Sequence, residues 1–401
     1  MRKYELDDFV GDGKRFLSES FNKKPQCFRQ TMADRLEGLP GLEMLDDLLA
    51  LETVPASYLR LTKGGAAVPK QAYTRASGCE AAVTEVIVPE KVYELFRLGA
   101  TLTWNSVEHI LPIARQLLYP FGQEFAAKAD GVLFVTPAGH DGFDAHHDST
   151  DSFVVQLAGT KRWRVWDTPA PRLGLAGGDS AEDLGEPGLS LTLQPGDVLY
   201  VPHGTPHAAA AEDSISVHLS IGVEARPWRD HIRSVVDMLL AGDEFREVPG
   251  LAAGNDEAVA TEQLAELLAA LREQLAQLDP GTTMSRLIRD GQTAARPTGS
   301  REIERLSAAD GIVAGSLLRR SSLPIAFGES RDSKVAMTVN GHTVTLPTAL
   351  MPTVAALDER SLIPAAEIFR GIAVERSVLV AQRLTRLGVL EVVANRAERA
   401  D

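Results

Sequence analysis

The sequence of 401 residues predicts an α+β fold in three parts: a central β-barrel, a helical segment after it, and a C-terminal domain of helices and a β-hairpin. Between residues 132 and 223, short apolar or alternating runs are separated by Gly, Pro and Asp, which is typical of barrel strands. Leucines recur at helical spacing over residues 261–278. The pair Asn340-Gly341, between two alternating runs, is a hairpin signal.

Residues 1 to about 100 are predicted to form helices and flanking strands before the barrel. Residues 107–119 are predicted to form a helix, with Asn105 and Ser106 as cap candidates. Because proline disrupts a helix interior, this helix is expected to end before Pro120.

Strand signals then follow one another along the barrel. The last strand alternates cleanly, with Ile215, Val217, Leu219 and Ile221 on its apolar face. Ser214, Ser216, His218 and Ser220 form a small polar face that can line a pocket. Residues 168–190, rich in Gly and acidic residues, are expected to form a long loop, either a mobile lid or a solvated insertion. The predicted strands are residues 132–135, 153–157, 161–166, 191–194, 198–202 and 214–223.

Metal ligands are predicted at His146, Asp148 and His207. In a strand, residues i and i+2 point to the same face, so His146 and Asp148 converge while His147 points away. Two imidazoles and one carboxylate with open positions are the ligand set of a non-haem Fe(II) oxygenase. The alternative is a loop histidine near acidic residues, with Asp148 only forming a turn. His147 and His203 are not expected to be ligands, although they can contact substrate or support the ligands.

Three blocks of sequence resemble the JmjC ribosomal oxygenases: residues 142–148, residues 156–165, and residues 194–197 together with 202–207. The resemblance also includes Lys23-Lys24-Pro25, the helical segment and the C-terminal domain, in the same order. It implies a double-stranded β-helix of the cupin/JmjC type, a dimerisation segment and a winged-helix-like domain. The implied boundaries are residues 1–225, 226–296 and 297–401.

The same resemblance implies the cofactors. Fe(II) would be held by His146, Asp148 and His207, and the cosubstrate 2-oxoglutarate would yield succinate and CO₂ as a C–H bond is hydroxylated. Lys161 stands where the family places the cation for the distal carboxylate, although it can also be a solvated residue in a basic run. Phe134 and His218 are predicted to line the cosubstrate site. The alternative for His218 is a satisfied histidine between strands.

This chain departs from the family pattern at three positions. Val132 and Phe134 stand where relatives often have Asn and Tyr, so hydrogen bonds to cosubstrate or substrate are lost. His203 replaces a residue that is often Arg. The departures at Val132 and Phe134 affect the expected substrate more than the expected metal.

Composition and charge favour an enzyme of the cytoplasm. The chain is 44% hydrophobic, and no run approaches the roughly 18 apolar residues of a membrane span. Cys27 and Cys79 cannot build a disulfide framework. Of the charged residues, 28 basic and 43 acidic ones lie in residues 1–300, whereas residues 301–401 hold 13 and 12. An acidic catalytic half suits a basic protein or peptide and repels nucleic acid; the alternative is that the acidity only aids solubility.

The helical segment and the last hundred residues complete the prediction. Residues 228–240 and 261–278 are predicted helices that form a homodimer or else only cover the barrel. Residues 296–300 form the predicted linker. Residues 334–339 and 342–346 form the predicted hairpin, followed by a helix over 374–387 that stops at Gly388 and a strand over 389–393. The nearly balanced charge of this domain favours a structural or protein-contacting module over DNA binding.

Two classes of function follow. The first is an Fe(II)/2-oxoglutarate oxygenase that hydroxylates a side chain in a protein, with a ribosomal protein as the expected substrate; its close rival is a tailoring hydroxylase of a peptide natural product. The second is a non-catalytic regulator that uses the barrel as a sensor. A cupin that uses another metal and ignores 2-oxoglutarate is a third possibility.

Overall fold

The structure is a computed structural model that describes residues 4–394, apart from residues 52, 78–84, 170–176, 179–180, 225, 249–256, 295–301, 322, 324, 340–341, 359–360 and 370. The chain divides into two compact units, Met1–Arg296 and Pro297–Asp401. The predicted linker at residues 296–300, the hairpin pair Asn340-Gly341 and Cys79 lie outside the described residues.

The first unit begins with helices and short strands that pack around one side of the barrel. Local signals set their ends: the Asp12 side chain accepts a hydrogen bond from Arg15 N at the start of the second helix, and Pro89 occupies the first turn of the fourth. These elements are α1 (Leu6–Val10), α2 (Gly13–Glu19), β1 (Gln26–Phe28), α3 (Leu42–Ala50), β2 (Leu59–Lys63), β3 (Ala66–Ala67), β4 (Thr74–Ala76), β5 (Glu85–Ile87), α4 (Pro89–Arg97), β6 (Thr101–Asn105) and α5 (Pro112–Phe125).

Helix α5 corrects one prediction. It runs through Pro120 to Phe125 instead of ending before the proline. A proline removes one backbone hydrogen bond, and here Leu117, Leu118 and Phe121 on either side of it are buried in the core. Burial of several large apolar side chains offsets the roughly 3 kcal/mol that an interior proline costs.

The barrel follows, and on either side of the short strand β11 its strands alternate along the chain between two antiparallel sheets. The larger sheet has the order β1-β13-β9-β15-β7-β6-β2-β3, and the smaller one has the order β11-β8-β14-β10-β12. This alternation is the arrangement of a double-stranded β-helix. The barrel elements are β7 (Ala129–Thr136), β8 (Asp141–His147), β9 (Thr150–Ala158), β10 (Lys161–Val165), β11 (Gly177–Gly178), α6 (Ala181–Leu184), β12 (Leu189–Leu193), β13 (Val198–Val201), β14 (His207–Ala211) and β15 (Ser216–Glu224).

The central strands of the larger sheet, β7, β9 and β15, have one face toward the helices and one toward the barrel interior. Leu133, Val135 and Leu219 belong to the core that contains Leu117 and Phe121 of α5. Inside the barrel, side chains of both sheets meet in a second cluster that includes Val154, Trp163, Val165, Leu193 and Leu199. The even-numbered positions of β7 and β15 therefore line the interior, and the polar face predicted for residues 214–220 lies there.

Three helices close the first unit: α7 (Trp228–Leu239), α8 (Glu257–Gln277) and α9 (Pro280–Ala294). The helices predicted at residues 228–240 and 261–278 are thereby confirmed. Helix α9 contacts α5, where Gln123 Nε2 donates to the Gln292 carbonyl at 2.8 Å. Helices α7 and α8 leave large apolar side chains exposed, among them Trp228, Ile232, Leu264 and Leu268. Within the described part of the chain, no helix is both long enough and apolar enough to cross a membrane.

The second unit has its own core and two three-stranded antiparallel sheets, of order β20-β16-β21 and β17-β18-β19. The predicted hairpin strands pair in register, with Val339 opposite His342. The predicted helix ends two residues before Gly388, whose φ is 85°. Its elements are α10 (Glu302–Asp310), β16 (Leu317–Arg320), β17 (Ile325–Arg331), β18 (Lys334–Val339), β19 (His342–Pro347), α11 (Met351–Ala355), β20 (Ile363–Pro364), α12 (Val374–Arg386) and β21 (Leu390–Ala394).

Candidate active site

The three predicted metal ligands converge at one end of the smaller sheet. His146 lies on β8 and pairs in register with His207, the first residue of β14. Asp148 lies just beyond the end of β8. One ligand atom from each of these residues lies within 4.8 Å of the other two. Strand pairing and the i+2 step thus bring two imidazoles and one carboxylate together, although Asp148 is in the connection to β9 and not in the strand itself.

Both imidazoles are held by backbone carbonyls. His146 Nδ1 lies 2.8 Å from the Asp144 carbonyl oxygen, and His207 Nδ1 lies 3.0 Å from that of Thr205. A carbonyl oxygen only accepts, so each Nδ1 must donate, which leaves the lone pair on Nε2. His207 Nε2 lies 3.5 Å from Asp148 Oδ2. The ring centroids of His146 and His207 are 4.4 Å apart. The nitrogens that face the carboxylate are therefore in the form that binds a metal.

The two histidines expected not to be ligands lie elsewhere. His147 is paired with Gly177 of β11, and a Cβ at that glycine would come within 3.0 Å of the imidazole ring. His203 Nδ1 lies 3.5 Å from Asp151 Oδ2. The pairing of β11 with β8 shows that the segment predicted as a loop at residues 168–190 returns to the barrel edge, although residues 170–176 and 179–180 lie outside the described residues.

Lys161 is buried inside the barrel. Its side chain extends from β10, is 2% exposed, and donates from Nζ to Thr136 Oγ1 at 3.0 Å. Loss of hydration on burial lowers the pKa of Lys161 to about 7. Among the described residues, no carboxylate lies within ion-pair distance of this Nζ. A buried ammonium without a counter-ion is costly, so the site fits a ligand that brings a carboxylate.

Phe134 and His218 face each other across β7 and β15. Their rings are stacked, with centroids 4.7 Å apart and planes at 7°. His218 is 3% exposed, and its Nδ1 has no hydrogen-bond partner in the described structure. Burial, with the nearby Lys161 and His207, lowers the pKa of His218 well below 6.5, so this imidazole is neutral. Phe134 also lies 5.9 Å from Lys161 Nζ, measured to the ring centroid.

Two interior residues were not predicted from the sequence. Thr136 is fully buried and accepts hydrogen bonds from both Lys161 Nζ and Thr101 Oγ1. Trp163 has its ring centroid 5.9 Å from that of His207 and 5.5 Å from that of His218. Strand parity was the available signal, because Thr136 shares a face with Phe134 and Trp163 shares one with Lys161.

Comparison with known proteins shows what the barrel resembles. Residues 117–231 match the family model of the JmjC domain. This part of the chain is similar to a JmjC domain. The predicted resemblance to ribosomal oxygenases is also confirmed: a 159-residue stretch, 38% of the chain, is 33% identical to Ribosomal oxygenase 1 of Rattus norvegicus. A 226-residue stretch, 54% of the chain, is 27% identical to that of Danio rerio.

The matched stretches cover 27% of the rat relative and 40% of the zebrafish one, so this chain spans less than half the length of either. Another relative, from Drosophila persimilis, is named "Bifunctional lysine-specific demethylase and histidyl-hydroxylase NO66"; it is 27% identical over 51% of this chain and 29% of its own length.

Solved structures show the same fold over nearly the whole chain. The Escherichia coli ribosomal oxygenase YcfD matches with a TM-score of 0.53 at 18% identity, over 98% of this chain and 100% of that one. YcfD has also been solved with cobalt and 2-oxoglutarate; that structure matches at 18% identity and a TM-score of 0.52, over 96% of this chain and 99% of that one. The predicted JmjC/cupin fold of mixed helix and strand is therefore confirmed.

Proposed function

We propose that this protein is an Fe(II)- and 2-oxoglutarate-dependent oxygenase that hydroxylates an amino-acid side chain in a protein. The observation on which this rests is the combination of two groups within one barrel. The first is the cluster of His146, Asp148 and His207, and the second is the buried Lys161, whose Nζ has no carboxylate within ion-pair distance among the described residues. The first fits a divalent metal with open positions, and the second fits the distal carboxylate of a 2-oxo acid.

The residues of the chain have separate tasks in this proposal. His146, Asp148 and His207 would hold the iron, which when bound supplies the oxidising power for the C–H bond together with O₂ and 2-oxoglutarate. The Asp144 and Thr205 carbonyls fix the imidazoles through Nδ1, so that Nε2 of each would be available to the metal. Lys161 orients the cosubstrate through its carboxylate. Phe134, Trp163 and His218 form aromatic walls that exclude water from the space between them.

A ribosomal protein is the proposed substrate. The names of the relatives support it, since those proteins are called ribosomal oxygenases. The charge of this chain supports it as well, because residues 1–300 have 43 acidic and 28 basic residues, and ribosomal proteins are basic. Opposite charge steers such a partner toward the barrel and accelerates association.

The test is succinate formation from 2-oxoglutarate by iron-loaded protein in the presence of O₂, with and without a pool of basic ribosomal proteins. His146→Ala is compared with His140→Ala, which removes an exposed histidine from the same β7–β8 region. Lys161→Met is compared with Lys91→Met, which removes an exposed lysine on α4. We expect turnover to require His146, to fall at least about tenfold without Lys161, and to rise with the protein pool.

Other outcomes select other functions. Turnover without stimulation by the protein pool would favour a peptide natural product, a possibility that Val132 and Phe134 encourage because neither side chain can hydrogen-bond a protein substrate. If the protein binds metal but does not bind 2-oxoglutarate, two functions remain: a cupin that catalyses another reaction, or a non-catalytic regulator.

The remaining parts have proposed roles of their own. The exposed apolar side chains of α7 and α8 support homodimerisation through residues 226–296. The β18–β19 hairpin with helix α12 and strand β21 supports a winged-helix-like domain at residues 297–401. With 13 basic and 12 acidic residues over 301–401, this domain suits protein contacts better than nucleic acid.

A further inference from the structure

The connection that leads to His207 is a tight turn over residues 202–205. Thr205 N donates to the Pro202 carbonyl at 3.2 Å, and Gly204 has a φ of 67°. A glycine with positive φ at the third position is the mark of a type II turn. The turn ends two residues before His207, and its last residue, Thr205, provides the carbonyl that orients the His207 imidazole.

The same turn is bound to the connection that contains Asp148. Gly204 N donates to the Asp148 carbonyl at 2.7 Å. His203 N donates to Asp151 Oδ1 at 3.4 Å, and His203 Nδ1 lies 3.5 Å from Asp151 Oδ2. Two successive amides of the turn thus face the β8–β9 connection and the start of β9. One acceptor is the backbone of a ligand residue, and the other is the side chain of Asp151.

Asp151 is a buried carboxylate that several donors surround. Its carboxylate is 2% exposed, and besides His203 it accepts a hydrogen bond from Tyr200 Oη at 2.6 Å. Tyr200 is itself fixed: it is fully buried, contacts the ring of Phe153, and its hydroxyl accepts from Asn22 N at 3.0 Å. A buried carboxylate is stable only when its hydrogen bonds and charge are satisfied, so Asp151 and its partners hold one another in a single arrangement.

We propose that Asp151 is a positioning residue of the metal centre, which holds the Asp148 segment and the 202–205 turn at a fixed separation through His203. This inference rests on the metal site of the proposed function. Asp151 touches neither the metal nor the substrate. It acts through the turn on the Thr205 carbonyl, and through that carbonyl on the imidazole of His207. Because a metal centre tolerates displacements of only a few tenths of an ångström, a loosened turn weakens metal binding.

The test is titration of metal-free protein with Co²⁺, followed by its visible d–d absorption, which reports the geometry of the ligands without any turnover. Asp151→Asn keeps the size of the side chain and an acceptor for Tyr200, but removes the charge beside His203. His203→Ala removes the imidazole that lies beside Asp151 Oδ2 and keeps the backbone N–H that donates to Asp151 Oδ1. Asp213→Asn, at an exposed position in the β14–β15 connection, is the matched control for the loss of one carboxylate.

We expect Asp151→Asn and His203→Ala each to raise the Kd for Co²⁺ about 10- to 100-fold and to change the absorption spectrum, with Asp213→Asn at the wild-type values. The double variant should be little weaker than either single one, because both break the same link. His203→Arg, whose guanidinium can donate to the Asp151 carboxylate, should bind as wild type does. If the variants only melt at lower temperature while their Co²⁺ affinity and spectrum stay at wild-type values, Asp151 is structural and the inference is wrong. Wild-type protein that binds no Co²⁺ would instead overturn the metal centre of the proposed function, and the inference with it.

Discussion

Lys161 and Thr136 are joined inside the barrel by a hydrogen bond of 3.0 Å between Nζ and Oγ1. The lysine extends from β10 in the smaller sheet and the threonine ends β7 in the larger one, so this bond links the two sheets. Thr136 also accepts from Thr101 Oγ1 at 3.3 Å. With both acceptor positions in use, the Thr136 hydroxyl proton remains to be donated.

Binding of 2-oxoglutarate should weaken as pH rises above neutrality. Burial lowers the pKa of Lys161 to about 7, so above that pH the free protein must take up a proton to present an ammonium. The Kd should rise by up to about tenfold for each pH unit above 7. Calorimetric titration of protein saturated with Co²⁺, from pH 6.5 to 9, measures this dependence.

Lys161→Arg is the control for this effect. A guanidinium stays protonated throughout this range, so its Kd for 2-oxoglutarate should be nearly flat with pH even if the absolute affinity is lower. Parallel profiles for the wild type and Lys161→Arg would show that some other group governs the pH dependence.

Metal affinity should distinguish His146 from its neighbour His147. His146 faces Asp148 and His207, whereas His147 is on the opposite side of β8 and is paired with Gly177. His146→Ala should therefore abolish detectable Co²⁺ binding at micromolar protein, and His147→Ala should change the Kd less than about threefold. Equilibrium dialysis gives both values. Equal losses in the two variants would contradict the assignment of the ligands by strand parity.

Strand parity explains how much of this site the sequence predicts. The period of two along a strand places His146 and Asp148 on one side, and it places Lys161 and Trp163 together inside the barrel. Which residues of one strand lie opposite those of another depends on register. The sequence does not show the register, so the Lys161–Thr136 contact was not predicted. The link between Asp151 and His203 is hidden for the same reason.

Outside the barrel, the sequence predicts helices well but not their ends or the pairing of distant strands. The predicted helices at residues 228–240, 261–278 and 374–387 are all present, because their apolar residues repeat at helical spacing. The predicted end of α5 was wrong because the burial of apolar side chains in the core outweighed the local effect of Pro120. Pairing of β1 with β13 joins residues about 170 positions apart in the chain, and no local pattern encodes such a contact.

His218 should make the protein sensitive to acid. Its pKa in the folded protein lies well below 6.5, so the unfolded chain binds a proton that the folded one does not as pH falls below 6.5. The free energy of unfolding should then fall by up to about 1.4 kcal/mol per pH unit from this residue alone. His218→Phe removes the titrating group and keeps a ring against Phe134. Urea unfolding at pH 7 and pH 5.5 should show a smaller loss of stability for the variant.

The comparison for His218 is His140→Phe, at an exposed position where the imidazole is hydrated in both states. This variant should lose as much stability between pH 7 and pH 5.5 as the wild type does. If His218→Phe loses just as much, the acid sensitivity arises from other groups.

The proposed homodimer should depend on the exposed leucines of α8. Leu264 and Leu268 are each 57% exposed and lie one turn apart on the same face of the helix. Burial of a leucine contributes roughly 1.5–3 kcal/mol, and a symmetric interface buries each residue twice. Leu268→Lys should therefore raise the dimer dissociation constant at least about tenfold. Gln263→Lys adds the same charge at an exposed position on the same helix and should leave the constant unchanged. Sedimentation equilibrium at several concentrations measures both. A wild-type protein that remains monomeric at tens of micromolar would rule out this interface.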